Sequence, residues 1–189
     1  MGIKKHIPNT LTCLNLFSGC IASVMAFKGD YNIAFYLILL AAFFDFLDGF
    51  AARLLKAYSE IGKDLDSLAD MISFGMAPGL IMFSLIQDAS FYLLPINTSW
   101  LNYIAYLAFV LPVFSALRLA KFNVDERQSD SFIGLNTPAN ALFWVSFCYG
   151  IVYDAPMVTT LLMYTVLVGI LVFSLLMVSE IPMFSLKVK

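Results

Sequence analysis

The sequence predicts an all-α, polytopic membrane bundle of about six transmembrane helices, and three observations carry that prediction. The chain is 61% hydrophobic over 189 residues with only 13% charged side chains, roughly half the charged share of an ordinary soluble domain. Its mean hydropathy is +0.85. Apolar stretches near the length that a spanning helix needs, about 20 residues, recur along the whole chain around 8–27, 32–54, 66–86, 101–120, 138–153 and 157–179. No low-complexity tract, internal repeat or long soluble insert separates them, so residues 1–189 read as one membrane domain in which nothing calls for a nucleic-acid partner.

The first span follows Lys4 and Lys5. Phe17-Ser18-Gly19-Cys20 loosely matches a lipoprotein cleavage box, but Asn9, Thr10, Thr12 and Asn15 make the stretch before it too polar for a signal core, and the span is expected to be retained. His6 reads as an interfacial side chain. Gly29-Asp30-Tyr31-Asn32 turns the chain at the outer face into the second span. The polar segment Lys56–Asp64 leads to the third, and Gln87–Ser99, with Pro95 and Asn97, to the fourth. The longer segment Lys121–Thr137 precedes the fifth, where Asn136 or Thr137 followed by Pro138 makes a helix start. Asp88 and Asp154 read as lone, solvated outer-loop acids. Cys13, Cys20 and Cys148 lie in apolar runs and read as small buried side chains, not as a disulfide or zinc framework. Every lysine and arginine except Lys28 falls on one side of this topology, so the positive-inside rule places both termini and the 56–64 and 121–137 segments in the cytoplasm.

That same side holds the chemistry. Asp45 and Asp48, spaced i, i+3, end the second span, and Asp66 and Asp70, spaced i, i+4, begin the third, so each pair shares a helix face. A charged residue at mid-bilayer costs about 2.5–3.5 kcal/mol on insertion scales, and four carboxylates at one membrane edge call for positive charge to neutralise them. Two divalent cations would balance four negative charges. An all-oxygen set suits hard ions such as Mg²⁺, Mn²⁺ or Ca²⁺ and disfavours zinc. Gly49, Ala51 and Ala52 leave little bulk beside the acids, which serves either helix packing or close approach of a ligand. Arg53 is either a phosphate fork or an ordinary membrane-edge anchor.

Read together, these residues form Asp-x2-Asp-Gly-x2-Ala-Arg-x8-Gly-x3-Asp-x3-Asp, running Asp45, Asp48, Gly49, Ala52, Arg53, Gly62, Asp66, Asp70. This resembles the signature of the CDP-alcohol phosphotransferase family. The resemblance implies a six-helix membrane enzyme, usually a homodimer, that displaces CMP from a CDP-linked donor with an alcohol. Carried onto this chain, it implies that Asp45, Asp48, Asp66 and Asp70 hold one or two divalent ions against the donor diphosphate. It further implies that Asp70 deprotonates the acceptor hydroxyl and that Gly49, Ala52, Arg53 and Gly62 shape the CMP pocket.

The acceptor must be read elsewhere. Ile7–Asn15, Ala116–Val124, Phe132–Ala141 and the final Leu176-Met177-Val178-Ser179 with Ile181 are similar to the membrane-embedded phosphatidylserine synthases of bacteria and archaea. The reaction that this resemblance implies joins CDP-diacylglycerol and L-serine, with both acyl chains left among membrane lipid. Arg118 and Lys121 are then candidates for the serine carboxylate, or else positive-inside anchors. Asn9 and Thr12 are candidates for hydrogen bonds to the nucleotide or the acceptor, or else satisfy neighbouring backbone. Asn136-Thr137 departs from the more apolar stretch expected before Pro138. Transfer to glycerol 3-phosphate or an inositol compound is the alternative within the family, and an ion-coupled transporter is the alternative outside it.

Overall fold

The computed structural model describes residues 6–93, 101–124, 133–154 and 160–182. Within them the chain forms helices α1 (His6–Phe27), α2 (Tyr31–Leu55) and α3 (Glu60–Asp70), a π-helical stretch (Met71–Met76), and α4 (Ala77–Leu93). A 3₁₀ stretch (Leu101–Phe109) then leads into α5 (Val110–Val124), followed by α6 (Thr137–Asp154) and α7 (Thr160–Val178). Because α3, the π-helical stretch and α4 run on without a break, and the 3₁₀ stretch runs into α5, these elements make an all-α bundle of six rods. The segments His6–Phe27, Tyr31–Leu55, Glu60–Asp88 and Tyr103–Val124 are long and apolar enough to cross a membrane, and Leu162–Val178 is a shorter apolar helix.

Local chemistry sets the ends of these rods. Asp30 caps α2 by accepting from the Ile33 amide at 3.3 Å, and Lys56 closes it in the left-handed conformation at φ 49°. Ser59 caps α3 by accepting from the Gly62 amide at 3.1 Å. This cap starts the third rod within the expected polar 56–64 segment, because a serine oxygen can take up an amide that the first turn leaves free. Asn136 caps α6, accepting from the Ala139 amide at 2.8 Å. The expected helix start is present, with Pro138 one place later than first position.

The third rod is the centre of the bundle. Of its apolar span, 78% is buried, against 22% to 39% in the other three long helices. Phe74, Ile81 and Met82 sit in the core with Ile38, Leu111, Val145 and Ile170. On the periphery Phe17, Phe27, Phe43, Phe46 and Phe50 are exposed, as lipid-facing side chains should be. Cys148 is buried as expected, but Cys13 and Cys20 are exposed, which corrects that expectation: α1 is peripheral, and a thiol is apolar enough to face acyl chains. Asp88 is not solitary either, since the Tyr31 hydroxyl donates to it at 2.6 Å. The Asp154 side chain, Pro95, Asn97, Arg127 and the terminal lysines lie outside the described residues.

The closest approach of α1 to the centre is at Gly19. A Cβ there would stand 2.6 Å from Ser73 Cα and 2.8 Å from Ser73 Cβ, with backbone on both sides. Ser73 also donates to the Asn15 carbonyl at 3.0 Å, stitching α1 to the π-helical stretch. Gly19→Val is expected to force the two apart and destabilise the protein by about 1–3 kcal/mol, the usual cost of overpacking. Thermal unfolding in detergent micelles checks this, and an unchanged midpoint would show that α1 moves freely.

A second tie closes the far side. Gly134 (φ 73°) donates to the Ile181 carbonyl at 2.9 Å, and Leu135 donates to the Leu176 carbonyl at 3.0 Å. A Cβ on Gly134 would meet the Met177 carbonyl oxygen at 2.7 Å, so both conformation and space require glycine. The start of α6 is thereby fixed to the end of α7.

Candidate active site

The helix spacing brings the acids of α2 and α3 together. One carboxylate oxygen each from Asp45, Asp48 and Asp66 lies within 4.8 Å of the others. Asp70 lies close enough to Asp45 and Asp66 for their charges to interact. It also accepts from Asn15 Nδ2 at 3.4 Å. Asp48 and Asp70 are buried, while Asp45 and Asp66 are partly open. Three carboxylates at this separation, with Asp70 nearby, repel one another unless a cation lies among them. The donor set contains neither sulfur nor imidazole, and it fits a hard divalent ion.

Helix α1 holds the pairs in place, packing against both α2 and α3. Thr12 donates to Asp48 Oδ2 at 2.5 Å, with the Pro8 carbonyl 3.1 Å away as the alternative acceptor. Asn15, fully buried, does the same service for Asp70. The sequence signal for Asn15 is present, an amide set deep in an apolar span, yet only the fold shows that it meets an acid 55 residues further on.

Beside the acids opens a cavity of about 470 Å³. Asn9 and Thr12 line it from α1, and Asp48, Gly49, Ala52 and Arg53 from α2. Gly62, Lys63 and Asp66 line it from α3, with Tyr58 and Ser59 on the turn and Phe122 reaching over from α5. The structure thus gathers on one cavity wall every residue singled out for the nucleotide. Gly49 has open space where a Cβ would go, whereas a Cβ on Gly62 would stand 2.9 Å from Ser59 Oγ and 3.1 Å from Asn9 Oδ1. Tyr58, Lys63 and Phe122 escape a reading of spacing alone, because each sits among residues with ordinary interfacial explanations.

The two candidates for the acceptor carboxylate part company. Lys121 turns to Glu180, 3.6 Å away at an exposed position. Arg118 is buried, donates from Nη1 to Thr137 Oγ1 at 3.4 Å, and stands 5.6 Å from the centre of the Phe122 ring. Its charge is close enough to Asp70 for the two to interact. Phe122 is therefore shared, lining the cavity and covering the arginine.

Comparison with known proteins agrees with this arrangement. The CDP-alcohol phosphatidyltransferase family model matches residues 5–184. The CDP-diacylglycerol–serine O-phosphatidyltransferase of Bacillus subtilis is 34% identical over 77% of this chain and 77% of its own length. The protein of the same name from Methanocaldococcus jannaschii is 32% identical over 89% of this chain and 71% of its own length. The archaetidylserine synthase of Methanothermobacter thermautotrophicus is 36% identical over 75% of this chain, which spans 57% of that relative. With the family model covering nearly the whole chain and the acids of its signature gathered beside one cavity, the protein belongs to the CDP-alcohol phosphatidyltransferase family.

Proposed function

We propose that this protein transfers the phosphatidyl group of CDP-diacylglycerol to the hydroxyl of L-serine, giving phosphatidylserine and CMP. The observation that carries the reading is the convergence of Asp45, Asp48 and Asp66, two of which, Asp48 and Asp66, line a cavity of about 470 Å³. In this reading residues 1–189 act as one catalytic membrane domain. The cytidine diphosphate occupies the cavity, with Gly49 and Ala52 admitting it close to the backbone of α2. Arg53 meets phosphate oxygens, Gly62 keeps the cavity floor clear, and Asn9 hydrogen-bonds the nucleotide. Thr12 fixes Asp48. The acyl chains stay in the bilayer.

Asp45, Asp48, Asp66 and Asp70 would hold two divalent ions, Mg²⁺ or Mn²⁺ with Ca²⁺ able to occupy the same oxygens. When bound they supply charge neutralisation and Lewis-acid polarisation of the diphosphate. Asp70 takes the proton of the serine hydroxyl as that oxygen forms its bond to the phosphorus bearing the diacylglycerol. The bridging bond of that phosphorus to the CMP oxygen breaks, and CMP leaves with the bonding pair. Arg118, with its charge inside the bundle and no carboxylate bonded to it among the described residues, receives the serine carboxylate. Lys121, paired with Glu180, plays a lesser part.

Arg53, Lys56, Lys63, Arg118 and Lys121 lie at the cavity end of their helices and Lys28 at the other, which supports a site on the cytoplasmic face, and the bacterial and archaeal relatives support a prokaryotic membrane. The family resemblance supports a homodimer. An acceptor screen with labelled CDP-diacylglycerol tests the reading. CMP release is expected with L-serine and a divalent ion, and turnover driven by glycerol 3-phosphate or inositol without serine would overturn the acceptor. Arg118→Ala is expected to raise the serine KM by roughly tenfold or more while the donor KM holds within about twofold. An unchanged serine dependence would reject the arginine as anchor.

A further inference from the structure

Two buried polar groups on the α5–α6 side of Asp70 have hydrogen-bonding capacity to spare. Arg118 Nε has no partner among the described residues, and on Asn140 neither Nδ2 nor Oδ1 has one. Asn140 is only 1% exposed. An amide shut away from water with both of its polar ends idle is costly, and it is understandable where a ligand supplies what is missing. Its position points the same way. Asn140 stands three residues after Thr137 on α6, so the two share a helix face about one turn apart. Thr137 is the residue that Arg118 holds, and Arg118 in turn is near enough to Asp70 for their charges to interact and stands 5.6 Å from the centre of the Phe122 ring that lines the cavity. Helix α6 packs against α5 and against the π-helical stretch that follows Asp70. Neither Arg118 nor Asn140 lines the cavity beside the acids, so this unfilled donor and acceptor set is separate from it.

We propose that Asn140 is a specificity residue that reads the α-amino group of the acceptor, its Oδ1 accepting from the ammonium while Arg118 holds the carboxylate. The inference rests on the serine reading above and goes beyond it by naming what distinguishes an amino acid from a plain hydroxy acid. A lone carboxylate anchor cannot tell serine from 3-hydroxypropionate, which has the same hydroxyl and carboxylate and lacks only the amine. A neutral amide is suited to the task, since it accepts from the ammonium without repelling the adjacent carboxylate.

The test compares acceptors by kcat/KM for CMP release from CDP-diacylglycerol, using L-serine, 3-hydroxypropionate and ethanolamine with the full-length protein in mixed micelles. Wild type is expected to favour serine over both analogues. Asn140→Leu, of similar volume, should cut the preference for serine over 3-hydroxypropionate at least tenfold and leave the donor KM within twofold. Its preference for 3-hydroxypropionate over ethanolamine, set by Arg118, should be retained. Asn140→Asp, which keeps the accepting oxygens in the same shape, should retain discrimination for the amine and keeps the test decisive if the leucine variant fails to fold. A serine to 3-hydroxypropionate ratio in Asn140→Leu within twofold of wild type, or one lost equally in Asn140→Asp, overturns the proposal while serine-dependent turnover by wild type stands. If wild type does not use serine at all, the underlying reading falls first.

Discussion

Asp70→Asn is expected to suppress serine-dependent CMP release by about 10²–10⁴-fold in kcat, the range that a positioned general base contributes, while CDP-diacylglycerol still binds. The substitution preserves shape. An asparagine at 70 can still accept from Asn15 Nδ2, so the hydrogen bond that positions the side chain survives. What disappears is the capacity to take a proton from the acceptor hydroxyl, together with one of the four carboxylates that would hold the ions, so the comparison is made at saturating Mg²⁺. The cavity wall contains Asp48 and Asp66 but not Asp70, so donor affinity should change little. Single-turnover CMP release alongside equilibrium binding of a labelled CDP-lipid separates the two effects. Near-wild-type kcat would remove Asp70 from proton transfer, and an equal loss of donor binding would recast it as a structural residue.

Removal of divalent ions is expected to reduce turnover by more than about 10³-fold, because charge stabilisation of this kind supplies several kcal/mol in the transition state. Restoration should follow added Mg²⁺ or Mn²⁺. Asp66→Asn and Asp45→Asn each take one carboxylate from the group whose oxygens lie within 4.8 Å, and should shift the Mn²⁺ midpoint for activity upward at least tenfold. Electron paramagnetic resonance of Mn²⁺ gives a readout independent of turnover. Activity indifferent to chelation, or Mn²⁺ binding unaltered in both variants, would dissolve the metal reading.

Much of this site is visible in the linear chain because its acids are local. Asp45 with Asp48 and Asp66 with Asp70 lie one turn apart, and helical periodicity alone puts each pair on a face. The apolar stretches likewise mark the helices to within a few residues, except that the third rod runs on from 66–86 to Glu60 at one end and Leu93 at the other. What escapes are contacts between rods. Thr12 and Asn15 look like incidental polarity in the first span, yet they bond Asp48 and Asp70, 36 and 55 residues away. No period in the sequence encodes that register. The π-helical stretch at Met71–Met76 is invisible for a different reason: a single glycine, Gly75, inside an apolar helical run does not distinguish a π turn from ordinary close packing. Arg118 and Lys121 show the limit of reading charge by position, since both end the same helix and only the surrounding rods turn one inward and the other to Glu180.

The tie between Gly134 and the end of α7 gives the two halves of the site a different place in the chain's birth order. Nearly all of the nucleotide cavity is built from residues that leave the ribosome well before α6, Pro8 to Asp66, with Phe122 added later. The start of α6, by contrast, takes its position from the carbonyls of Leu176 and Ile181, which are synthesised about 40 residues after it. An unfinished polypeptide in the membrane thus possesses most of the compartment for an activated lipid before it has a settled place for the molecule that consumes it.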